Sequence, residues 1–500
     1  MPAQTSDKPS QPVTPRVLLC GVGPLPLGNP DRLYAPGLRL WGFARALLRG
    51  GLGVDILEVQ FGKSAESGAG ARLYRLRLAD DSPEKGDRQP EPDCQGMMLP
   101  PHLKADTEDL PAAPLPQMVS RQIQRHPYRA VISTTDILND ACARASGTLP
   151  LWCDFNGHPL AERQSQARCF GSDEGLASQW DYVLPPLLRA DRFSTCSEAQ
   201  RLALTGELGA CGRLNRWNDG GSFVNALPPA ALLTEFTPQP GTLRGTHVPQ
   251  DAFIVLWTGG YNTWADEETL FHALESALAR VPRMVFVSTG GAIGGHDEQT
   301  FQRFQQRVQA SPFRDRYVFA GWVNTLEVPG YYLEADVGVN CDRQNLEGEL
   351  GCRNRILDWV AARLPVLTTS VCELARDLIQ RDLVGGFSPG NAPELADRLV
   401  HLAGCPQDVL CERAERARAY LLEAYAPERA YAPLVEWARN PQHAPDLQNT
   451  MARRSETGFS IPDNPLSRRR FQEWRTALEK EKGAGISKLK RKLKEFLNLR

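Results

Sequence analysis

The alternation of short apolar runs with apolar helical patterns constrains the fold of this chain more than any other feature. At the start, an apolar run at 17–23 ends in glycines, a helical pattern covers 38–48, and a second apolar run follows at 54–59. A strand, a helix and a strand within about 45 residues form a βαβ unit of a parallel sheet. Similar segments continue toward the middle of the chain, so we predict a Rossmann-like domain over residues 17–232.

A second series of the same kind begins at Asp251. Helical patterns alternate there with five apolar runs, at 253–257, 284–289, 317–320, 337–340 and 366–369. We predict a second Rossmann-like domain over 233–440, joined to the first by a proline-bearing linker that starts at Pro228. Ligands of such α/β folds bind at the carboxyl ends of the strands, so we expect the site in the cleft where the two domains face each other.

Three segments lack this pattern. Residues 1–16 have the composition of a disordered lead-in. The polar, proline-rich stretch 63–115 is expected to be an irregular insertion in the first domain. Residues 441–500 are predicted to form a polar linker followed by a basic amphipathic tail.

The basic tail has the composition of a membrane-binding helix. Residues 468–500 carry twelve Lys or Arg against four Glu, and Ile486, Leu489, Leu493, Phe496 and Leu497 recur at helical spacing. An apolar stripe flanked by lysines favours an anionic lipid surface. A solvated or coiled-coil helix, or one that packs on the body of the protein, fits the same pattern.

Composition argues against several classes of protein. Lys and Arg total 57 against 59 Asp and Glu, which gives no reason to expect a nucleic-acid partner. No stretch approaches the ~20 apolar residues of a membrane span, and the N-terminus has no apolar signal-peptide core. We therefore expect a cytoplasmic protein, with the tail attached peripherally to the inner face of the cytoplasmic membrane. Twelve scattered cysteines without a C-x-x-C pair fit free thiols.

Motifs of several other chemistries are absent from the sequence. It contains no Asp-x-Asp, no Walker A sequence, no Gly-x-Ser-x-Gly and no His-Glu-x-x-His. The glycines after the first strand do not form a full G-x-G-x-x-G, which argues against a nicotinamide cofactor. We expect neither a metal nor a cofactor.

A glycine pair follows the first strand of the second domain. Gly259 and Gly260 end the run, and Asn262, Trp264 and Asp266 lead into a helix. Glycines at a strand's carboxyl end let the backbone approach a phosphate or sugar, and a helix N-terminus favours an anion. The alternative is a tight turn in which Asp266 only caps the helix.

A dense charged segment follows the strand that ends at residue 340. Glu347 and Glu349 can accept hydrogen bonds from sugar or ribose hydroxyls, while Arg353 and Arg355 can neutralise a diphosphate leaving group. Gly351 lies between these pairs, and Asp358, one turn into the next helix, is a candidate for a ribose edge. A solvated salt-bridge cluster at a helix start is the alternative.

These stretches resemble one known family. W-T-G-G-Y-N-T-W-A-D-E-E-T-L, F-A-G-W-V and L-E-G-E-L-G-C-R-N-R-I-L-D are similar to segments of the retaining group 1 glycosyltransferases, in particular a bacterial subgroup. D-F-N-G-H-P-L-A-E and S-E-A-Q-R-L in the first half look like that subgroup's acceptor-domain segments. The resemblance implies a GT-B fold, a nucleotide-sugar donor on the second domain, and metal-independent transfer with retained anomeric configuration.

Two features depart from the family pattern. The usual Arg and Lys after the second-domain glycine loop are absent, and Trp264 and Asp266 stand there instead. Two glutamates eight positions apart are not reproduced either. Phosphate neutralisation would then fall to Arg353 and Arg355, and the ribose and donor-sugar roles stay open among Glu347, Glu349 and Asp358.

The first domain is expected to present the acceptor. Gly23 and Gly28 are similar to the family's loop that closes on donor and acceptor, and Asp154 and Glu162 bound the D-F-N-G-H-P-L-A-E segment. Between them, His158 can orient an acceptor hydroxyl or shuttle its proton. A surface histidine that only forms hydrogen bonds is the alternative.

The expected activity is transfer of a sugar to a saccharide or lipid-linked acceptor in cell-surface polysaccharide synthesis. Two other functions fit the same fold, because a fold alone does not fix chemistry. One is a nucleotide-sugar epimerase, which converts the donor without an acceptor. The other is a non-catalytic scaffold, which binds no nucleotide diphosphate.

Overall fold

The structure of the protein is a computed structural model. This structure describes residues 14–27, 30–60, 70–78, 103–221, 223–232, 236 and 241–448. Gly28 and the basic tail 468–500 therefore lie outside the described residues, as does most of the predicted lead-in. In the part of the chain that the structure describes, no helix is both long enough and apolar enough to cross a membrane.

The first domain is built on one eight-stranded sheet. Its elements are β1 (Arg16–Val22), α1 (Ala35–Arg49), β2 (Gly53–Gln60), β3 (Gly70–Leu78), β4 (Leu103–Leu110), α2 (Leu115–Arg125), β5 (Val131–Thr134), α3 (Asp136–Ala145), β6 (Leu151–Phe155), α4 (Pro159–Phe170), α5 (Glu174–Arg189), β7 (Arg192–Thr195), α6 (Glu198–Ala210) and β8 (Val224–Ala226). The strand order is β4-β3-β2-β1-β5-β6-β7-β8. Strands β1, β2 and β5 to β8 pair in parallel.

The second domain has a six-stranded sheet in the order β11-β10-β9-β12-β13-β14, with every pair parallel. Its elements are β9 (Phe253–Trp257), α7 (Glu267–Arg280), β10 (Met284–Thr289), α8 (Gln299–Gln309), β11 (Tyr317–Gly321), α9 (Val328–Glu334), β12 (Val337–Asn340), α10 (Leu346–Leu350), α11 (Asn354–Ala361), β13 (Val366–Thr369), α12 (Glu373–Gln380), β14 (Gly385–Phe387), α13 (Ala392–Gly404) and α14 (Gln407–Ala424).

The central strands are the short apolar runs that the sequence predicts. All residues of β6, β9 and β10 are buried, as expected for parallel strands covered by helices on both faces. Proline in the first turn of α1 and Gly50 at its end bound that helix, and its Leu40, Trp41 and Phe43 are fully buried. The prediction of two Rossmann-like α/β domains is confirmed.

The segment 63–115 differs from the prediction of an irregular insertion. It contains β3 and β4, which extend the sheet as antiparallel strands beyond β2. Leu73, Tyr74 and Leu76 of β3 are buried. Strand β4 is an edge strand whose charged side chains are largely exposed, a pattern that protects a sheet edge from further pairing. The charged side chains of β4 contributed to the polar composition on which the prediction of an irregular insertion rested.

The last helices of the described chain return to the first domain, although the predicted boundary placed residues to 440 in the second. These are α15 (Pro427–Ala430) and α16 (Ala432–Arg439). Tyr431 packs edge-on against Phe43 at 4.9 Å between ring centroids, and Trp437 lies 5.4 Å from Trp152. The buried Arg213–Asp446 ion pair fixes the following segment to the same domain.

Hydrogen bonds join the two domains along the cleft between their sheets. Ser197, before α6, donates to the carbonyl of Leu350 at 2.6 Å, and the Arg168 guanidinium of α4 donates to the carbonyl of Thr263 at 3.0 Å. The carboxylate of Glu373 in α12 accepts from the backbone N–H of Glu198 at 2.9 Å. The carboxyl ends of β9 and β10 open into this cleft.

Candidate nucleotide-sugar site

A cavity of about 280 Å³ lies between the domains at the carboxyl ends of β9 and β10. Arg32, Tyr34 and Leu38 contribute its first-domain wall. The second-domain wall contains seven of the residues predicted to bind the donor: Gly259, Gly260, Asn262, Trp264, Arg353, Arg355 and Asp358. The structure thus brings most of the predicted donor residues together around one cavity.

Two glycine loops form the floor of the cavity. Gly259 and Gly290 have φ values of +85° and +86°, in the left-handed region that favours glycine. A Cβ on Gly290 would lie 2.3 Å from the carbonyl oxygen of Gly259, and one on Gly260 would lie 2.3 Å from Ile293 Cδ1. The backbones after β9 and β10 therefore approach each other at a distance that only glycine permits.

Arg355 is a half-buried cation in the cavity wall, and the described residues give it no ion-pair partner. Its Nη2 donates to the carbonyl of Gly260 at 3.0 Å, and its guanidinium lies 4.3 Å from the Trp257 ring centroid. Its Nη1 is buried without a hydrogen-bond partner, and no described carboxylate lies within 4.0 Å of the guanidinium. Burial lowers the pKa of Arg355 to about 10. An anionic ligand would supply the missing charge and acceptor.

Arg353, in contrast, has two carboxylate partners. Its Nε donates to Asp342 at 2.8 Å and its Nη2 to Glu347 at 3.1 Å. Burial lowers its pKa, but the charges of Asp342 and Glu347 outweigh burial and raise the pKa overall. The guanidinium also lies 5.1 Å from the Trp264 ring centroid. Its charge is therefore already balanced within the protein.

The three predicted acidic residues occupy different environments, and two of them, Glu347 and Glu349, lie outside the cavity lining. Glu347 is buried against Arg353 outside the cavity lining, and burial raises its pKa to about 7. Glu349 is half-buried and accepts from Gln344. Gly351 makes room for Arg353, because a Cβ there would lie 2.7 Å from Arg353 Nη1.

Asp358 lines the cavity itself. Among the described residues no hydrogen-bond donor reaches its carboxylate, and burial raises its pKa to about 7. Close by, the amide oxygen of Asn262 is also buried without a partner. The cavity therefore presents two hydrogen-bond acceptors that have no partner among the described residues, at Asp358 and Asn262. It also presents one donor without a partner, Nη1 of Arg355.

Asp266 has the capping geometry that the sequence left as the alternative. It is the N-cap of α7, accepting from the Thr269 N–H at 3.3 Å and from the Thr269 hydroxyl at 2.7 Å. Nη1 of Arg343 lies 3.3 Å from Oδ1, the carboxylate oxygen that accepts from the Thr269 N–H. The structure places Asp266 behind the loop that carries Trp264, away from the cavity lining.

His158 is also a helix cap. Its Nδ1 accepts from the Ala161 N–H at 3.2 Å, at the start of α4, and its Nε2 lies 3.2 Å from Glu207. Because a backbone N–H donates to Nδ1, the ring proton belongs on Nε2, facing Glu207. Both ring nitrogens are thus engaged outside the cavity lining.

Two other first-domain candidates lie in the interior. Asp154 accepts two hydrogen bonds from Arg39, at 2.7 and 3.1 Å, and one from Ser194 at 2.6 Å. Gly23 packs on Glu58, where a Cβ would lie 2.1 Å from Glu58 Oε1. Neither residue lines the cavity.

Glu162 does reach the interdomain surface. One of its carboxylate oxygens lies 3.5 Å from Nε2 of His296 in the second domain. Burial, followed by the charge of Asp136, raises the pKa of Glu162 to about 7. Among the predicted acceptor-side residues that the structure describes, Glu162 therefore has a contact with the second domain.

Sequence reasoning missed Arg32, Tyr34 and Trp322 of the cavity. Arg32 lies 5.2 Å from the Trp322 ring centroid, and Tyr34 meets the same indole edge-on at 6.1 Å. The tryptophan in F-A-G-W-V, directly after a strand, was the available signal for Trp322. Nothing in the sequence indicates that the segment before α1 faces it across the cleft.

Comparison with known proteins agrees with this architecture. Residues 252–404 match the family model described as "Glycosyl transferases group 1". The Bacillus subtilis (strain 168) protein "Putative glycosyltransferase YtcC" is 24% identical over 181 residues, which cover 36% of this chain and 43% of YtcC. The alignment thus spans less than half of that relative's length.

Two solved structures share the arrangement of both domains. Sucrose-phosphate synthase from Thermosynechococcus elongatus has a TM-score of 0.57 at 16% identity, covering 85% of this chain and 98% of that one. Alpha,alpha-trehalose 6-phosphate synthase from Burkholderia multivorans has a TM-score of 0.54 at 14% identity, covering 90% and 100%. At such identities the likeness concerns the fold alone. The chain therefore has the GT-B fold of two facing Rossmann-like domains, and its residues 252–404 match the model of the group 1 glycosyl transferases.

Proposed function

We propose that this protein is a glycosyltransferase whose second domain binds a nucleotide-sugar donor in the cavity between the domains. The observation that carries the proposal is Arg355, a half-buried guanidinium in the cavity lining with an unpartnered Nη1 and no described carboxylate within 4.0 Å. A diphosphate offers the charge and the acceptor oxygens that this group lacks.

The other open groups suit the remainder of such a donor. The glycine loops at Gly259 and Gly290 permit close approach of phosphate or sugar to the backbone. Asp358 can accept from ribose hydroxyls, and the amide oxygen of Asn262 from a sugar hydroxyl. Domain closure around the ligand would exclude water, so that transfer outruns hydrolysis.

The finer parts of the proposal concern mechanism and acceptor. We propose retention of anomeric configuration without a metal, on the resemblance of the L-E-G-E-L-G-C-R-N-R-I-L-D segment to retaining enzymes. The acceptor is a saccharide or a lipid-linked saccharide used for a cell-surface polysaccharide. Glu162, with its raised pKa and its place at the interdomain surface, is the first-domain group best suited to contact an acceptor hydroxyl.

Membrane attachment through residues 468–500 belongs to the same proposal. Twelve Lys or Arg against four Glu in that segment would hold the enzyme at an anionic leaflet, where a lipid-linked acceptor is found. The positive charge of residues 468–500 and the helical spacing of their apolar residues support membrane attachment.

A melting screen with adenosine, guanosine, uridine and thymidine diphosphates tests the donor site. A ligand at about a hundred times its Kd adds about 2.7 kcal/mol of apparent stability. The same screen on Arg355→Ala should lose that gain, whereas Arg398→Ala, an exposed arginine of α13, should keep it. A wild-type protein that none of the four diphosphates stabilises would favour the scaffold alternative.

Product analysis then separates transfer from epimerisation. The protein is incubated with the nucleotide sugar of the selected base, with and without a saccharide acceptor. Glycosyl transfer releases the nucleoside diphosphate in step with a new saccharide and needs the acceptor. Conversion of the donor sugar to its epimer without an acceptor would contradict the proposal.

A further inference from the structure

Four charged residues line the described part of the cavity, and those of the second domain alone do not balance the charge of a diphosphate. The four are Arg32, Arg353, Arg355 and Asp358. Arg353 is already paired with Asp342 and Glu347. Of the second-domain groups, only Arg355 therefore offers an open positive charge, and Asp358 faces the same space. A nucleoside diphosphate carries roughly two or more negative charges near neutral pH, so a single guanidinium leaves it under-compensated.

Arg32 supplies a second open cation to the same cavity from the opposite domain. Its guanidinium lies over the indole of Trp322 at 5.2 Å from the ring centroid, and no described carboxylate comes within 4.0 Å of it. Stacking on an aromatic face orients a guanidinium while leaving its N–H groups free to donate. Arg32 thus has the charge and the orientation that a phosphate requires.

The backbone beside Arg32 is fixed to the second domain. The carbonyl of Asp31 accepts from the N–H of Thr325 at 3.0 Å and from its hydroxyl at 3.1 Å. The amide of Asn324 donates to the Asp31 carboxylate at 3.4 Å. These contacts place Arg32 at the wall of the second domain's cavity, although its own domain is the acceptor side.

We propose that Arg32 is the second guanidinium that binds the donor's diphosphate, so that the bound ligand bridges the two domains between Arg32 and Arg355. The inference rests on the proposed function, since it assigns a residue to the same site. A phosphate or carboxylate on the acceptor is the other ligand that such a cation could take. Two observations favour the donor: Arg355 alone cannot neutralise a diphosphate, and Arg32 is held beside the cavity by its contact with Trp322 and by the hydrogen bonds of Thr325 to the neighbouring Asp31 carbonyl.

Calorimetric titration with the nucleoside, the monophosphate and the diphosphate of the base selected by melting tests the proposal. Arg32→Ala should weaken diphosphate binding at least tenfold and change nucleoside binding less than twofold, because only the charge on the phosphates is removed. Arg32→Lys should fall between the wild type and Arg32→Ala, since it keeps the charge but loses the planar fork. Melting temperatures of the free variants confirm that they fold.

Arg216→Ala is the matched control. Arg216 is an exposed arginine of the first domain whose guanidinium lies 4.4 Å from the Trp217 ring centroid, outside the cavity lining. That variant removes an Arg–Trp contact of the same kind and should leave diphosphate binding unchanged. An equal loss in both variants would overturn the assignment of Arg32 to the diphosphate.

Two further results separate failure of this inference from failure of the proposed function. Wild-type diphosphate binding that Arg32→Ala leaves intact, together with a raised KM for the acceptor, would overturn the inference and assign Arg32 to an anionic acceptor. A wild-type protein that binds none of the nucleotides would contradict the proposed function and the inference with it.

Discussion

Arg353 and Arg355 lie two positions apart at the start of α11, yet their guanidinium groups have opposite electrostatic surroundings. The guanidinium of Arg353 lies between the carboxylates of Asp342 and Glu347. That of Arg355 contacts the Trp257 ring and a backbone carbonyl, with one nitrogen unpartnered. We infer that the first positions the loop and that the second binds the ligand.

Substitution of the two arginines should therefore have different consequences. Arg353→Ala leaves two buried carboxylates without their cation and should lower the free energy of unfolding by about 3–5 kcal/mol. Arg355→Ala removes a charge without an ion-pair partner together with one hydrogen bond to the Gly260 carbonyl, and should lower it by no more than about 1.5 kcal/mol. Urea denaturation of both variants measures the difference. Equal destabilisation by the two substitutions would contradict the assignment of a structural role to Arg353 alone.

Asp358 should make stability depend on pH. Burial raises its folded-state pKa to about 7, above the value of about 4 in an unfolded chain. The folded state therefore binds more protons across that window, and this residue's contribution to stability falls as pH rises from about 4 to about 7.

The variant Asp358→Asn isolates that contribution. The unfolding free energy of Asp358→Asn minus that of the wild type should increase with pH across the window and level off above about pH 7. Glu162 and Glu347 titrate in the same range, but both are present in the two proteins and cancel in the difference. A difference that stays constant from pH 4 to pH 8 would show that the pKa of Asp358 is not raised.

His158 provides a test of capping against catalysis. His158→Ala removes the acceptor for the Ala161 N–H and should cost about 1 kcal/mol of stability. His158→Asn keeps a capping acceptor and should retain both stability and kcat. If His158→Asn folds normally but loses turnover, the histidine acts as the proton shuttle that the sequence suggested.

Much of the fold was accessible from the sequence because parallel strands buried on both faces are short apolar runs. The runs at 253–257, 284–289 and 337–340 coincide with β9, β10 and β12. Strand β4 was missed because an edge strand with charged side chains has the composition of a loop. The return of α15 and α16 to the first domain depends on contacts such as that of Tyr431 with Phe43, which local pattern does not encode.

The site could be predicted from the sequence only in part. Gly259, Asn262, Arg355 and Asp358, which the sequence grouped as donor-binding candidates, line one cavity because each follows a strand of the same sheet. It did not distinguish Arg353 from Arg355, because the difference depends on the partner Asp342, eleven positions before Arg353. A contact across the cleft, such as that between Arg32 and Trp322, cannot be predicted from local sequence.

The composition of the basic tail, residues 468–500, predicts that the protein binds anionic vesicles. Full-length protein should float with vesicles that contain anionic lipid at low salt, and a chain stopped near Pro465 should not. Replacing Lys488, Lys490, Lys492 and Lys494 by Gln should reduce flotation, since each basic residue contributes about 1 kcal/mol near such a surface. Neutral vesicles are the control. Equal recovery of the full and shortened chains would contradict membrane attachment through the tail.

Calorimetric titration of the wild type and Arg355→Ala with the diphosphate selected by melting tests the central claim most directly. The account predicts saturable binding by the wild type and a loss of about 1.5–3 kcal/mol in the variant, because a charge-assisted hydrogen bond to the phosphate is removed. Equal affinity of the two folded proteins for the diphosphate would contradict it.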